Sequence, residues 1–193
     1  MYEYIRGAVA SVNPASVVID AAGVGYLVNI SLNTYSKLNG KNEAQLLIHQ
    51  VVREDAHVLY GFAEKRERDL FRNLISVSGV GASTAIMMLS SLNPDEIIAA
   101  VTTGNADELK AVKGIGAKTA QRIIIDLRDK LGKMAESSQI LISTDNTLRN
   151  EALSALVMLG FAKKDADKVV SKIMKDNPEA TVERVIKTAL KRL

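Results

Sequence analysis

The chain of 193 residues contains no cysteine. Without thiols it can form no disulfide, no thiolate zinc site and no cysteine-ligated iron–sulfur cluster. It also lacks a hydrophobic run long enough to span a membrane, and its first residues, MYEYIRGAVASV, lack the long apolar core of a signal peptide. We therefore expect a cytoplasmic protein that makes no membrane contact.

A strong charge of one sign is missing as well. The chain carries 25 lysine and arginine residues against 22 aspartate and glutamate residues, which gives a formal net charge of +3. It also has no G-x-x-x-x-G-K-[ST] phosphate loop, so any ATP-driven motor would have to come from a partner. Bulk charge is therefore a poor argument for nucleic-acid binding, and such a function must rest on local geometry.

The sequence does contain a repeat. Residues 74–89, LISVSGVGASTAIMML, and residues 109–124, LKAVKGIGAKTAQRII, are offset by 35 positions. Each copy ends one apolar helix, turns through a Gly-x-Gly pair and starts a second helix. Unpaired N–H groups and the helix dipole favour an anion at such a helix start. Two copies predict a device that holds duplex phosphates without reading bases.

Glycine pairs alone are weak indicators, because ordinary turns between helices also use them. Gly23-Val24-Gly25 is the same tripeptide as Gly79-Val80-Gly81, yet it lies between two strands and predicts a plain hairpin turn. The duplication favours phosphate binding. The predicted DNA-backbone residues are Ser78, Gly79, Gly81, Ser83 and Thr84 in the first copy, and Lys113, Gly114, Gly116, Lys118, Thr119 and Arg122 in the second.

The two copies differ in charge. Lys113, Lys118 and Arg122 of the second copy replace Ser78, Ser83 and Met87 of the first. We expect the first turn to bind through backbone amides and hydroxyls, while the second adds charge-assisted contacts.

Periodicity divides the chain into four parts of an α+β multidomain protein. Residues 1–63 predict a five-stranded barrel of the oligonucleotide-binding type. Residues 64–132 are helical, with predicted helix starts at Asn93-Pro94-Asp95-Glu96 and Asn105-Ala106-Asp107-Glu108. Residues 133–147 predict a flexible linker, and residues 148–193 a three-helix bundle of the ubiquitin-associated type. The predicted strands are Tyr4–Val12, Ser16–Ala21, Tyr26–Leu32, Ala44–Val52 and His57–Phe62.

Charged and polar clusters outside the repeat allow several interpretations. Glu54 and Asp55 at a predicted hairpin tip suit a solvated turn, a negatively charged spacer or a Mg²⁺ ligand pair, although no further carboxylate cluster supports the metal. The run 64–69, EKRERD, predicts chiefly a solvated helix face, although its arginines could contact phosphate. His49 and His57 have no second ligand, so we assign no metal site.

The C-terminal bundle contains a Leu159-Gly160-Phe161 corner. Leu156 and Leu159 suit core packing, while the Gly-Phe corner leaves room for a partner surface. A ubiquitin-like-binding adaptor is one alternative, and it depends on this corner alone.

The order of these parts resembles the RuvA family, the Holliday-junction-recognition subunits of bacterial branch-migration complexes. The resemblance covers essentially the whole chain: VVREDAHVLYGF in the barrel, SGVG and KGIGAKTA in a tandem helix-hairpin-helix domain, and LGF in the terminal bundle. In the first hairpin the chain reads GVGAST, where the family commonly has a proline and a basic residue after the glycines.

The resemblance implies a homotetramer or octamer that binds an open four-way DNA junction through both hairpins. It implies that Glu54 and Asp55 form an acidic pin near the crossover. It also implies that the bundle, with Leu159, Gly160 and Phe161 as candidates, binds the RuvB ring ATPase, and that the RuvC junction resolvase is a further partner. The chain would then have no catalytic residue and no cofactor, since ATP and Mg²⁺ serve the partner ATPase in recombination and DNA repair.

An alternative from another class is an excision-type enzyme, a glycosylase or structure-specific nuclease that grips DNA with the hairpins. It would need a catalytic Lys/Asp pair or a carboxylate cluster beside them. Asp126 and Asp129 are the candidates, and their positions indicate helix surface.

Overall fold

A computed structural model describes residues 2–139, 144–177 and 180–193. Its contacts divide the chain into two compact units, Met1–Glu136 and Ser137–Leu193. The first unit contains a barrel and a helical part, each with its own hydrophobic core. Within the described ranges, no helix is both long and apolar enough to cross a membrane.

Five strands form a closed barrel in the order β1-β2-β3-β5-β4. All neighbours are antiparallel except β3 and β5, which are parallel. Alternate side chains of the strands fill the interior, as expected for a small barrel. The predicted barrel of the oligonucleotide-binding type is confirmed. The strands are β1 Tyr4–Asn13, β2 Ser16–Ala21, β3 Val24–Ile30, β4 Glu43–Val52 and β5 His57–Phe62.

A short helix between β3 and β4 was not predicted. Helix α1 spans Leu32–Leu38, so the expected continuation of the third strand to Leu32 is wrong. The cause is local, because the Ser31 side chain accepts a hydrogen bond from the Thr34 amide and caps the helix.

Five helices follow the barrel, and the last of them extends three residues beyond Glu136: α2 Lys65–Ile75, α3 Ala82–Ser91, α4 Pro94–Thr103, α5 Ala106–Lys110 and α6 Ala117–Gln139. Asn93 caps α4 in a capping box with Glu96, and Asn105 caps α5. These helix starts are as predicted. The apolar faces of the helices meet in one core that includes Leu70, Leu74 and Leu89.

The predicted linker, residues 133–147, contains more helix than expected. Helix α6 continues to Gln139, and α7 begins at Thr144, whereas residues 140–143 lie outside the described part of the chain. After Gly132 the sequence KMAESSQ has no glycine or proline, and lysine, methionine, alanine and glutamate are good helix formers. A helix can therefore continue there although the apolar period has ended.

The second unit is a bundle of three helices, α7 Thr144–Met158, α8 Lys163–Asp176 and α9 Val182–Ala189. Leu156, Val170 and Val185 lie fully buried in its core, together with several alanines that allow the helices to approach closely. The predicted three-helix arrangement is confirmed.

Helix α2 is joined to the barrel by a buried carboxylate. Glu67 accepts hydrogen bonds from the Ser31 hydroxyl and from the Thr34 hydroxyl, the latter at 2.8 Å. The Thr34 hydroxyl in turn accepts from the Ala63 amide at 3.1 Å. Burial raises the pKa of Glu67, and the two hydroxyls and the charge of Lys37 oppose that shift in part.

The neighbouring Arg68 is also buried, and its Nη1 lies 2.6 Å from the Glu3 carboxylate and 3.1 Å from the Glu3 carbonyl oxygen. The prediction of a chiefly solvated helix face for residues 64–69 is therefore wrong for Glu67 and Arg68. Their partners come from Ser31, Thr34 and Glu3, more than 30 positions away in sequence.

We predict that Glu67→Gln changes the free energy of unfolding by less than about 1 kcal/mol at pH 7, because the amide keeps the shape and can bond both hydroxyls. The carboxyl of Glu67 has a higher pKa in the folded state than its ordinary value of 4.5. It therefore binds its proton more tightly when folded, and the wild type should gain stability relative to Glu67→Gln as the pH falls from 7 towards 4.5.

Urea unfolding of both chains across this pH range measures the difference, with the exposed Glu43→Gln as a control for surface charge. A stability difference between wild type and Glu67→Gln that is independent of pH would contradict the prediction. Glu67→Ala, which leaves both hydroxyls without an acceptor, should lose about 2–3 kcal/mol.

Candidate nucleic-acid interface

The first Gly-x-Gly turn connects the end of α2 to the start of α3. Val77 and Val80 are buried and anchor the turn on the helical core, whereas Ser78, Gly79 and Gly81 are exposed. The Val80 amide donates to the Val77 carbonyl at 3.0 Å and closes the loop. No side chain caps α3 at Gly81, so the first amides of that helix are open to an external acceptor.

The second turn, between α5 and α6, repeats this geometry. Val112 and Ile115 are the buried anchors, and the Ile115 amide donates to the Val112 carbonyl at 3.1 Å. The first glycine of each pair adopts nearly the same left-handed conformation, with φ of 92° at Gly79 and 93° at Gly114. The sequence repeat is therefore also a repeat of backbone conformation.

All four glycines face open space. A Cβ atom built on Gly79, Gly81, Gly114 or Gly116 meets no other atom within 4 Å. The positive φ explains why Gly79 and Gly114 are glycines. Gly81 has a φ of −84°, which any residue can adopt, so neither packing nor conformation within the described chain requires glycine there. The free surface above it admits close approach of another molecule.

The two turns lie next to each other. Nη1 of Arg122, in the first turns of α6, donates to the Ser78 carbonyl oxygen in the other hairpin at 3.3 Å. The structure thus brings together two segments that are 44 residues apart in sequence. Arg122 was predicted as a phosphate ligand, and this contact shows that it also bridges the hairpins.

The remaining predicted ligands are placed as follows. Lys113, Lys118 and Ser83 are exposed beside the turns, and Thr84 and Thr119 are half-buried at the first turns of α3 and α6. Across the described ranges, neither lysine forms a salt bridge. Both ammonium groups are therefore available for an external anion. That these residues bind phosphate remains a prediction.

The start of α6 also borders a shallow depression that the sequence did not indicate. Its lining includes Lys118 and Arg122 together with Ile125, whose side chain is 75% exposed, and Asp126. Asp126 and Asp129 both lie on the exposed helix surface. No group of three or more metal-ligating side chains occurs in the part of the chain that the structure describes.

Glu54 and Asp55 lie at the tip of the β4–β5 hairpin, as predicted. Val52 pairs with His57, and the Arg53 amide donates to the Ala56 carbonyl at 2.8 Å to close the turn. Both carboxylates are exposed. His57 is exposed near this tip, and His49 is half-buried at the base of the hairpin; burial, with Arg72 and Arg68 nearby, lowers the pKa of His49. His49 is therefore neutral at pH 7.

In the bundle, the Leu159-Gly160-Phe161 corner ends α7. The Phe161 amide donates to the Leu156 carbonyl at 3.1 Å, and Gly160 has a φ of 98°, which is a left-handed helix termination. Phe161 packs on the bundle core, so of the three predicted partner residues Leu159, at 60% exposure, is the accessible side chain. The expectation of core packing for Leu159 is wrong, because its side chain is exposed directly after the last residue of α7.

Sequence reasoning missed two neighbours of this corner. Val157 is exposed, and Met158 is 89% exposed, so with Leu159 they make three consecutive exposed apolar residues at the end of α7, which we call the apolar tip. The signal was present in the sequence LVML, four apolar residues in a row, of which a helix can bury only part on one face.

A closed five-stranded barrel followed by two helix-hairpin-helix turns and a small helical bundle defines a multidomain helix-hairpin-helix protein. Family comparison agrees with each part. Residues 1–61 match the RuvA N terminal domain, residues 71–129 the SAM-like helix-hairpin-helix tandem, and residues 147–193 the RuvA C-terminal domain.

Curated relatives match the chain over its whole length. The Holliday junction branch migration complex subunit RuvA of Bacteroides thetaiotaomicron is 53% identical over 201 residues, covering 100% of both chains. The proteins of the same name from Christiangramia forsetii and Porphyromonas gingivalis are 51% and 50% identical, again over 100% of both chains. The chain belongs to the RuvA family.

The two glycines of a turn should respond differently to the same substitution. We predict that Gly79→Ser lowers the free energy of unfolding by about 1–2 kcal/mol, because serine is strained at positive φ. Gly81→Ser should leave stability unchanged or raise it by a few tenths of a kcal/mol, because serine is a better N-cap than glycine.

Gly23→Ser is the matched control for backbone strain. Gly23 also has a positive φ, of 85°, and no atom lies within 4 Å of its Cβ position, but it is part of a β-hairpin of the barrel. Urea unfolding of the three variants gives the comparison. Equal losses at Gly79 and Gly81 would show that backbone strain is not what requires glycine at position 79.

Proposed function

We propose that the chain binds four-way DNA junctions in a structure-selective, sequence-independent way and brings the RuvB ring ATPase to them for branch migration. The observation that carries this proposal is the pair of matching glycine turns, held side by side by the Arg122–Ser78 contact with open space above the glycines. The relatives, named as subunits of the Holliday junction branch migration complex, support it.

Binding uses the backbone of both turns. At the first turn, the free amides at the start of α3 and the Ser78, Ser83 and Thr84 hydroxyls donate to phosphate oxygens. At the second turn, Lys113 and Lys118 add charge-assisted contacts near Gly114 and Gly116. Since none of these groups reads a base edge, affinity depends on the position of the phosphates and not on the sequence.

The acidic pin supplies selectivity by repulsion. Glu54 and Asp55 are exposed at a hairpin tip, where two carboxylates disfavour a nearby phosphate. In the proposed homotetramer the pins of four subunits meet at the centre of the complex. A continuous duplex that crosses this centre meets the full repulsion, whereas an open junction has a hole there.

The chain itself acts without a catalytic residue or cofactor, in the cytoplasm. The partner ATPase uses ATP and Mg²⁺, and the apolar tip formed by Val157, Met158 and Leu159 is the contact for that motor. RuvC would act on the same junction. The domains assigned to these tasks are the barrel, residues 1–63, the hairpin domain, 64–132, and the bundle, 148–193, joined by residues 133–147.

The hairpins can be compared by removing one polar group from each. Lys118→Ala should weaken junction binding more than Ser83→Ala, and should reduce the slope of log affinity against log salt by about one unit per lost phosphate contact. Lys130→Ala, which removes the same charge from an exposed position further along α6, is the control. Gel shifts with a synthetic four-way junction at several salt concentrations give the slopes; equal slopes for Lys118→Ala and Lys130→Ala would rule out a phosphate contact at Lys118.

Neutralising the acidic pin should reduce selectivity. In the double variant Glu54→Gln with Asp55→Asn, affinity for linear duplex should rise while affinity for the junction changes little, because only the duplex crosses the pins. The effect should be largest at low salt, where charges are screened least. Junction and duplex of equal sequence are compared by gel shift. Unchanged duplex affinity at low salt would show that Glu54 and Asp55 form an ordinary turn with no role in selectivity.

The apolar tip of the bundle gives a separate test. Met158→Ser should leave stability and junction binding unchanged, because Met158 is 89% exposed, but should lower RuvB-dependent branch migration. Leu193→Ser, which removes an exposed apolar side chain elsewhere in the bundle, serves as the control. Normal migration with Met158→Ser and Leu159→Ser together would place the motor contact elsewhere.

A further inference from the structure

The β4–β5 hairpin belongs to two hydrophobic cores at once. On one face of the hairpin, Leu46, Ile48 and Leu59 point into the barrel core. On the opposite face, Tyr60 and Phe62 belong to the core of the helical part, and Val51 and Val58 pack against it. The alternation of strand side chains thus places the hairpin between the barrel and the helices.

Phe71 of α2 is the centre of this second contact. Its ring centroid lies 4.9 Å from that of Phe62, 5.3 Å from that of Tyr60 and 5.4 Å from that of His49. We call Phe71, His49, Tyr60 and Phe62 the ring cluster. His49 and Tyr60 are cross-strand partners, so the cluster touches both strands of the hairpin.

The same contact continues towards the tip. Val51 pairs with Val58, and both lie on the face that packs against the helical core, one residue before the exposed Val52–His57 pair. The acidic pin, Glu54 and Asp55, follows directly. The carboxylates of the pin therefore lie at the tip of a hairpin whose base is packed on both faces. On the face towards the helices, the packing extends to the Val51–Val58 pair, close to the turn.

Helix α2 links this support to the DNA-binding surface. Phe71 lies one helical turn before Leu74 and Ile75, after which the first glycine turn begins. Leu74 and Val77 are buried in the core that also holds Phe71. One short helix thus packs against the hairpin that carries the pin and leads directly into the first glycine turn.

We propose that the ring cluster holds the acidic pin at a fixed position relative to the first glycine turn, with Phe71 as the positioning residue. Packed aromatic rings have few alternative arrangements, so they resist displacement of the hairpin. The part of this inference that concerns junction preference rests on the proposed function. In that function, repulsion by the carboxylates is selective only if they stand at a fixed distance from the phosphate-binding turns.

The position can be measured directly, because the chain has no cysteine of its own. Nitroxides attached to Asp55→Cys and Ser83→Cys report the distance between the pin and the start of α3. Diluting the labelled chain with unlabelled chain suppresses distances between subunits. Pulsed electron paramagnetic resonance then gives the distance distribution in otherwise wild-type protein and in Phe71→Leu.

Phe71→Leu should broaden this distribution about twofold, because leucine loses the ring contacts while remaining apolar. Ile97→Val removes volume from the same core at a position outside the ring cluster and is the matched control. Val58→Ala, at a half-buried position next to the tip, is a milder second variant in case Phe71→Leu folds poorly. Unchanged distributions in Phe71→Leu and Val58→Ala, or equal broadening in Ile97→Val, would overturn the proposal.

Junction preference provides the second measurement. Phe71→Leu without labels should lower the ratio of junction to duplex affinity about two- to threefold, and should lower it no further when Glu54→Gln and Asp55→Asn are already present. An equal decrease in both backgrounds would overturn an action through the pin. If the pin variant itself leaves the ratio unchanged, the proposed role of the carboxylates fails, while the distance distributions still decide whether Phe71 positions them.

Discussion

The attachment of helix α2 to the barrel is the constraint on which the first unit depends. Phe71 packs against the β4–β5 hairpin, while Glu67 and Arg68 make buried polar contacts with Ser31, Thr34 and Glu3. Removing charged groups from water is unfavourable, so these contacts add less stability than their number suggests. Their value is geometric, because a carboxylate that accepts hydrogen bonds from two hydroxyls of the barrel unit restricts how α2 can lie against it. The first glycine turn begins where this helix ends.

The duplication places two glycine turns of the same conformation side by side, and together they form one surface. Gly79 and Gly114 share a backbone conformation to within one degree of φ, and both turns are anchored by buried aliphatic residues. The Arg122–Ser78 contact sets the spacing between them. In the proposed function the backbone of the turns does most of the binding, so the side chains around the turns are free to differ. Such a binding mode needs no strong overall charge, in keeping with the chain's net charge of only +3.

Features encoded over short stretches could be predicted from the sequence: the five strands, the duplicated turn, the capped starts of α4 and α5, and the exposed pair Glu54 and Asp55. Helix α1 was missed because one serine cap outweighed a strand-like apolar pattern. The burial of Glu67 and Arg68 could not be predicted, since their partners lie in another part of the chain. The bridging contact of Arg122 has the same cause, and only the fold brings it to Ser78.

In the proposed function, attraction and repulsion come from different elements, the glycine turns and the acidic pin, and the distance between them determines which DNA structure is preferred. Glycine turns that attract any duplex phosphate would alone bind linear DNA as well as a junction. The carboxylates repel any phosphate, so alone they only weaken binding. Structural selectivity requires both at a fixed separation, since charge effects in water decay over about 8–10 Å. The β4–β5 hairpin, packed between two cores, would provide that separation, and under the proposed function this geometry distinguishes an open junction from a duplex.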